Sequence, residues 1–91
     1  MNVAIRPSGN GRRAVTVDGA HVGHIRIHWL DDQALWRDYS GGYRRGCRWL
    51  PEGVDPGIEG PHTPTDAALL LLALHDYDRL TAIEALYGKA V

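Results

Sequence analysis

Asp18-Gly19 stands between two runs of alternating apolar residues, and the parity of those runs restricts the fold more than any other feature of the chain. Asp-Gly is a strong local signal for a two-residue hairpin turn, whose central positions both need positive φ. Before it, Arg13–Val17 puts Val15 and Val17 on one side. After it, Val22–Leu30 puts Ile25, Ile27 and Trp29 on one side and His24, Arg26 and His28 on the other. A two-residue turn pairs Val17 with Ala20, which sets Val22 and His24 beside Val15 and Val17 and turns Ile25, Ile27 and Trp29 the wrong way. One residue must therefore be absorbed, because a slip of one flips every side chain. Either the loop has three residues, Asp18–Ala20, or a β-bulge lies at Gly23. Both solutions predict a core face of Val15, Val17, Ile25, Ile27 and Trp29, with His24, Arg26 and His28 opposite.

The remaining segments fit around this hairpin. Val3–Ile5 is a short apolar run that ends in the turn-rich string Arg6-Pro7-Ser8-Gly9-Asn10-Gly11. Ala34–Tyr39 and Tyr43–Leu50 flank Ser40-Gly41-Gly42 and read as a second hairpin, the facing of its second arm being ambiguous. Pro51–Pro64 holds four Pro and three Gly and reads as a long loop. Thr63-Pro64-Thr65-Asp66 is a helix start, with a cap, a first-turn proline and an acid three residues on. In the helix that follows, Leu69, Leu70, Leu71, Leu72 and Leu74 cover more than one side, so it is buried widely or forms an interface. Asp76-Tyr77-Asp78 is a place to kink, after which Leu80, Ile83 and Tyr87, with Ala82 and Leu86 beside them, restart a helical stripe that Gly88 ends. The expected fold is α+β: an antiparallel β-meander of three to five strands with C-terminal helix, kinked or split near 76–79, packed on one face. It is one small domain over 1–91, with sheet in 1–50, a Pro/Gly loop in 51–63 and helix in 64–87.

Charge is divided by position. Residues 1–50 hold eight arginines against four acids, a net +4, while residues 51–91 hold Arg79 and Lys89 against seven acids, a net −5. Such asymmetry points to a charged partner. A single cysteine, Cys47, fits a reducing compartment. The N-terminal residues lack a run of signal-peptide length, and Ala67–Leu74 falls far short of the roughly 20 residues that span a bilayer. A cytoplasmic protein without a membrane partner is expected.

Enzymatic readings find little to stand on. His24 and His28, four apart on a strand, are about 13 Å from each other, too far to share one ion. No HExxH or paired-cysteine pattern occurs, and no glycine-rich loop carries the lysine of a phosphate site. Cys47 has Arg45 and Arg48 nearby but no recognisable local signature of a nucleophile. The expectation is a protein that is not an enzyme and has no cofactor or metal. The candidate binding residues are Arg12, Arg13, His24, Arg26, His28, Arg37, Arg44, Arg45 and Arg48, interleaved with Trp36, Tyr39, Tyr43 and Trp49. Arginine suits bidentate contacts to carboxylate or phosphate, so the partner is a protein with an acidic surface or a nucleic acid. Leu70, Leu71, Leu74 and Tyr77 are the candidate interface of a homodimer formed through the leucine-rich helix.

The string Val17-Asp18-Gly19, Val22-Gly23-His24-Ile25, Trp36-Arg37 and Thr65-Asp66-Ala67-Ala68 with Leu71-Leu72 and His75 resembles small actinobacterial and actinophage proteins of unknown function. The resemblance covers about residues 13–76 and implies a β-meander followed by a helix. The layout is distantly similar to AP2-like and integrase arm-binding domains, where a three-stranded sheet reads DNA and a helix backs it. The acidic C-terminal half and the long Pro/Gly loop depart from that pattern, so no residue role carries over. In type, the chain is similar to phage-encoded inhibitors of host defence, including anti-CRISPR proteins. That likeness implies occupation of a macromolecular partner, with sheet-based nucleic-acid binding as the alternative.

Overall fold

The computed structural model describes residues 1–29, 35–37, 43–45, 47–54, 61 and 63–88, with backbone alone for 35–37 and 43–45. In chain order the elements are β1 (Val3–Pro7), β2 (Arg12–Val17), β3 (Ala20–Trp29), β4 (Leu35–Arg37), β5 (Tyr43–Arg45), β6 (Cys47–Pro51), α1 (Pro64–Leu74) and α2 (Arg79–Tyr87). The Asp18-Gly19 turn has two residues, with φ of 50° and 84°, and Val17 pairs with Ala20 across it. The parity mismatch is absorbed by a bulge: Thr16 pairs with His21 but Val15 pairs with Gly23, which leaves Val22 as the extra residue. Of the two solutions, the bulge is the one adopted. Gly23 makes room there for α1, since a Cβ at this position would stand 3.3 Å from Leu71 Cδ1, a tight contact.

Strands β1, β2, β3 and β6 form a four-stranded antiparallel sheet in that order. The second hairpin forms only in part. Leu35–Arg37 pairs with Tyr43–Arg45 in a separate two-stranded ribbon, and from Cys47 the chain joins β3 instead, Trp49 opposite Ile27. That switch settles the ambiguous facing: Trp49 and Leu50 are both buried, on opposite sides of the sheet. The loop begins within β6, since Pro51 still pairs with Ile25. Further along, Pro61 accepts a backbone bond from Trp49 N at 2.8 Å, which satisfies part of the sheet edge.

α1 starts as the sequence predicts. Thr63 Oγ1 accepts from Asp66 N at 3.2 Å, and Pro64 occupies the first turn. It ends in a left-handed turn at Asp76, φ 62°, where Tyr77 N donates to Leu72 O and Asp76 N donates to Ala73 O. This is a Schellman closure built on aspartate rather than glycine. The helix is therefore split. Asp78 caps α2, its carboxylate accepting from Thr81 N at 2.9 Å and Thr81 Oγ1 at 2.7 Å. Those bonds hold the Asp78 carboxyl below its ordinary range.

The core lies between the sheet and the helices: Val15, Val17, Ile25 and Trp49 below, Ala67, Ala68, Leu71 and Leu72 from α1, and Ala82 from α2. Val3, Ile5, Ile27, Tyr77 and Leu86 pack around it. Two expectations are corrected. Trp29 ends β3 on the core side but is 56% exposed, because the strand overruns the helix that covers Gly23 and Ile25. In α2 the core side carries Ala82 and Leu86, the flanking members of the expected stripe, while Leu80 and Tyr87 are exposed. Since α2 starts on its own cap, the close fit of Ala82 sets its phase rather than its largest side chains.

Gly11 gives a direct test of this packing. Its φ is 71°, its carbonyl accepts from Ile27 N, and a Cβ there would stand 2.8 Å from Ile27 Cγ2. Gly9 has φ 80° with nothing within 4 Å. Gly9→Ala is expected to cost about 1 kcal/mol from left-handed backbone alone. Gly11→Ala should cost at least about 1 kcal/mol more through overpacking. Urea midpoints of the two variants decide it; equal losses would mean that Ile27 gives way freely.

Candidate functional site

Alternation places the side chains of Ala4 and Arg6 on β1, Arg12, Ala14 and Thr16 on β2, His21, His24, Arg26 and His28 on β3, and Arg48 and Leu50 on β6 together. They share the side of the sheet away from the helices. The bulge at Val22 is what puts the three β3 residues from His24 onward there. Arg6 and Arg26 are exposed, and Ala4, Ala14 and Thr16 keep the face between them low. Leu50 is 1% exposed on this side.

Like charges meet across the strands. Arg12 on β2 lies opposite Arg26 on β3. Directly opposed like charges destabilise a sheet. A carboxylate relieves this pair. Glu52 follows β6, and its backbone N donates to His24 O at 3.0 Å, which aims its side chain back over the face. Arg12 Nη2 donates to Glu52 Oε2 at 2.9 Å, and Arg12 Nε lies 2.6 Å from Oε1 in an ion-pair contact that lacks the angle of a second hydrogen bond. His24 Nδ1 stands 3.8 Å from Oε2. The hydrogen bond from Arg12, with the positive charges of Arg12, His24 and Arg26, holds the Glu52 carboxyl below its usual range, and the same bond raises Arg12. His24 is also bonded to Ser8 Oγ through Nε2 at 3.4 Å, and its ring packs 4.8 Å from that of His21.

The sequence-predicted binding residues thus divide. Arg12, His24, Arg26, His28 and Arg48 come together on one face, and Arg6 joins them. Arg13 does not: β2 turns it to the helix side, where its guanidinium lies 4.9 Å over the Trp49 ring. Trp49 itself belongs to the core, so it is not interleaved with the basic residues. Arg37, Arg44 and Arg45 fall on the β4–β5 ribbon, along with Trp36 and Tyr43, and Tyr39 lies outside the described residues. Of the predicted interface, Leu71 is buried beneath α1 against Gly23 and Tyr77 packs on the core. Leu70 is half-buried and Leu74 is exposed.

Sequence reasoning missed Glu52. Its one visible signal is that it is the first acid after Asp38, following a stretch that holds Arg44, Arg45 and Arg48. Cys47 is half-buried and free of any disulfide. Among the described residues no group of three or more His, Cys, Asp or Glu is placed to hold a metal ion, and no helix is long and apolar enough to cross a membrane. What the face offers is a fixed array of guanidinium and imidazole donors for an anionic surface. No protein-family model, curated protein or solved structure matches the chain.

The Arg12–Glu52 pair has a definite pH signature. Because the folded-state carboxyl lies below its ordinary value of 4.5, its contribution is present above that value and lost as pH falls through the lower folded one. Glu52→Gln is expected to be less stable than the wild type at pH 7, with the gap closing toward pH 3. Urea unfolding across that range measures it; a gap that stays constant with pH would remove any charge-dependent role for the pair.

Proposed function

We propose that the chain is a small non-enzymatic binding protein that docks an acidic protein surface against the basic face of its sheet. The observation that carries this reading is the one-sided gathering of Arg6, Arg12, His24, Arg26 and His28, with the half-buried Arg48 and buried Leu50 along the β6 edge and the main apolar cluster on the other side. Two features favour a protein over a nucleic acid. Glu52 sits within the cluster and occupies Arg12, which interrupts any continuous track for phosphates. Among the described residues the face carries no Trp or Tyr, the platforms on which bases stack. A protein surface of mixed charge can meet both the arginines and the Glu52 carboxylate.

The form of action we propose is occupation of the partner, as with the phage-encoded inhibitors of host defence that the chain resembles in type. A cytoplasmic setting, with Cys47 as a thiol, goes with it. We infer a second copy of the chain as a further partner, meeting the outward side of α1.

The test compares the wild type with the Arg6→Ala/Arg26→Ala variant, both positions being exposed and remote from the core. The wild type is expected to retain one host protein on affinity capture and to shift neither duplex nor single-stranded DNA at about 150 mM salt. The double variant is expected to lose that protein at least roughly tenfold, as removal of charges from a docking face does. Salt-steep DNA binding that the double variant weakens would replace this reading with nucleic-acid recognition. Equal capture by both proteins would remove the face from the function.

A further inference from the structure

The structure assigns the self-association of α1 a specific geometry: a two-fold pairing in which Asp66 of each copy meets Arg79 of the other across a leucine-lined groove. This geometry rests on the proposed pairing of copies through α1.

The argument begins with the phase of the helix. Ala67, Ala68, Leu71 and Leu72 face the sheet and are buried. Asp66, Leu69, Leu70, Ala73 and Leu74, spaced three and four apart, lie on the opposite side. A surface helix ordinarily keeps that side polar. Here it carries Leu70, Ala73 and Leu74 behind a single acid, with Leu69 at the border, partly buried against the core. Leu69, Leu70 and Ala73, with Asp66 and Arg79, line a groove of about 320 Å³ between α1 and α2. Leu74, four residues after Leu70 on the same helix, is 57% exposed. Exposed apolar surface gathered in this way, with a polar rim, marks an interaction site.

Charge selects the occupant. The lining holds one acid and one base, Asp66 in the first turn of α1 and Arg79 at the start of α2. In a two-fold contact the same patch serves both copies, and every contact between unlike residues occurs twice. With the axis passing near Leu70 and Ala73, antiparallel α1 helices bring their leucines together. Asp66 then meets Arg79 of the other copy at both ends. A second copy supplies this complement by symmetry, whereas an unrelated helix would have to reproduce both charges in register. The arrangement also leaves both basic sheet faces outward, on opposite sides of the pair, so the dimer would present two binding faces to a multivalent partner.

Sedimentation equilibrium of the full chain at up to roughly 100 µM, where a contact of modest affinity is populated, tests this directly. Far-ultraviolet circular dichroism confirms that each variant is folded. The wild type is expected at twice its 10.0 kDa mass and Leu74→Glu at the monomer mass. Arg79→Asp should raise the dimer dissociation constant at least roughly tenfold, by setting Asp against Asp66 of the other copy, and Asp66→Arg/Arg79→Asp should restore it. A monomeric wild type, or a dimer indifferent to Leu74→Glu, overturns self-association through α1 and the geometry with it. A dimer that Leu74→Glu breaks, but that Arg79→Asp leaves intact or the double exchange fails to restore, overturns the Asp66–Arg79 register alone.

Discussion

The single extra residue at Val22 decides the character of both sides of the sheet. A two-residue turn at Asp18-Gly19 would otherwise point His24, Arg26 and His28 into the core and carry Ile25 and Ile27 outside. Burying three such side chains without partners would exceed the stability of a small domain. The bulge brings Ile25 into register with Val15 and Val17, and it places the backbone of Gly23 where α1 needs space. Leu71 then seats on that bare backbone, with Ala67 and Ala68 on the same side of the helix. Helix docking and the exposure of the basic residues thus depend on one irregularity.

Crowding of like charge is the second constraint, and the fold meets it with a turn rather than a strand. Arg12 and Arg26 are set opposite each other by the same register that aligns the core, so neither can move without disturbing it. β6 ends beside them, and the bond from Glu52 N to His24 O carries the carboxylate into the gap. An acid on a strand of this face would have had to replace an arginine or a floor residue. One placed just beyond β6 neutralises the pair and leaves Arg6 and Arg26 exposed. Both groups of the Arg12–Glu52 pair keep about a third of their side-chain surface in solvent, so the pair contributes modestly to stability and mainly shapes the field of the face.

Local chemistry made part of this legible in the sequence. Asp18-Gly19, the Thr63-Pro64-Asp66 start and the alternation of β3 each rest on a few neighbouring residues, and each formed as their chemistry requires. What could not be read depended on residues far apart. Nothing local to Tyr43–Leu50 says that its second half leaves the ribbon for β3, because the gain comes from burying Trp49 against a helix that follows later. Arg13 neighbours the basic residues in sequence, yet parity sends it to the other side, over an aromatic ring that only the β3–β6 pairing brings near. The helix break was visible as a run of polar residues. Its sharpness was not, since aspartate in the left-handed region leaves no signal as plain as a glycine.

That break also creates the groove between the helices. Along an unbroken helix Arg79 would stand about 20 Å beyond Asp66, thirteen residues at 1.5 Å each, and the two charges could not border one hollow. The left-handed turn at Asp76 reverses the chain, Tyr77 anchors the turn on the core, and Asp78 starts α2 at once, so Arg79 returns to line the groove with Leu69, Leu70 and Ala73. The leucines that the sheet cannot use, with Asp66 and Arg79 beside them, thereby form one surface. Its position away from the basic face means that occupying it leaves that face free.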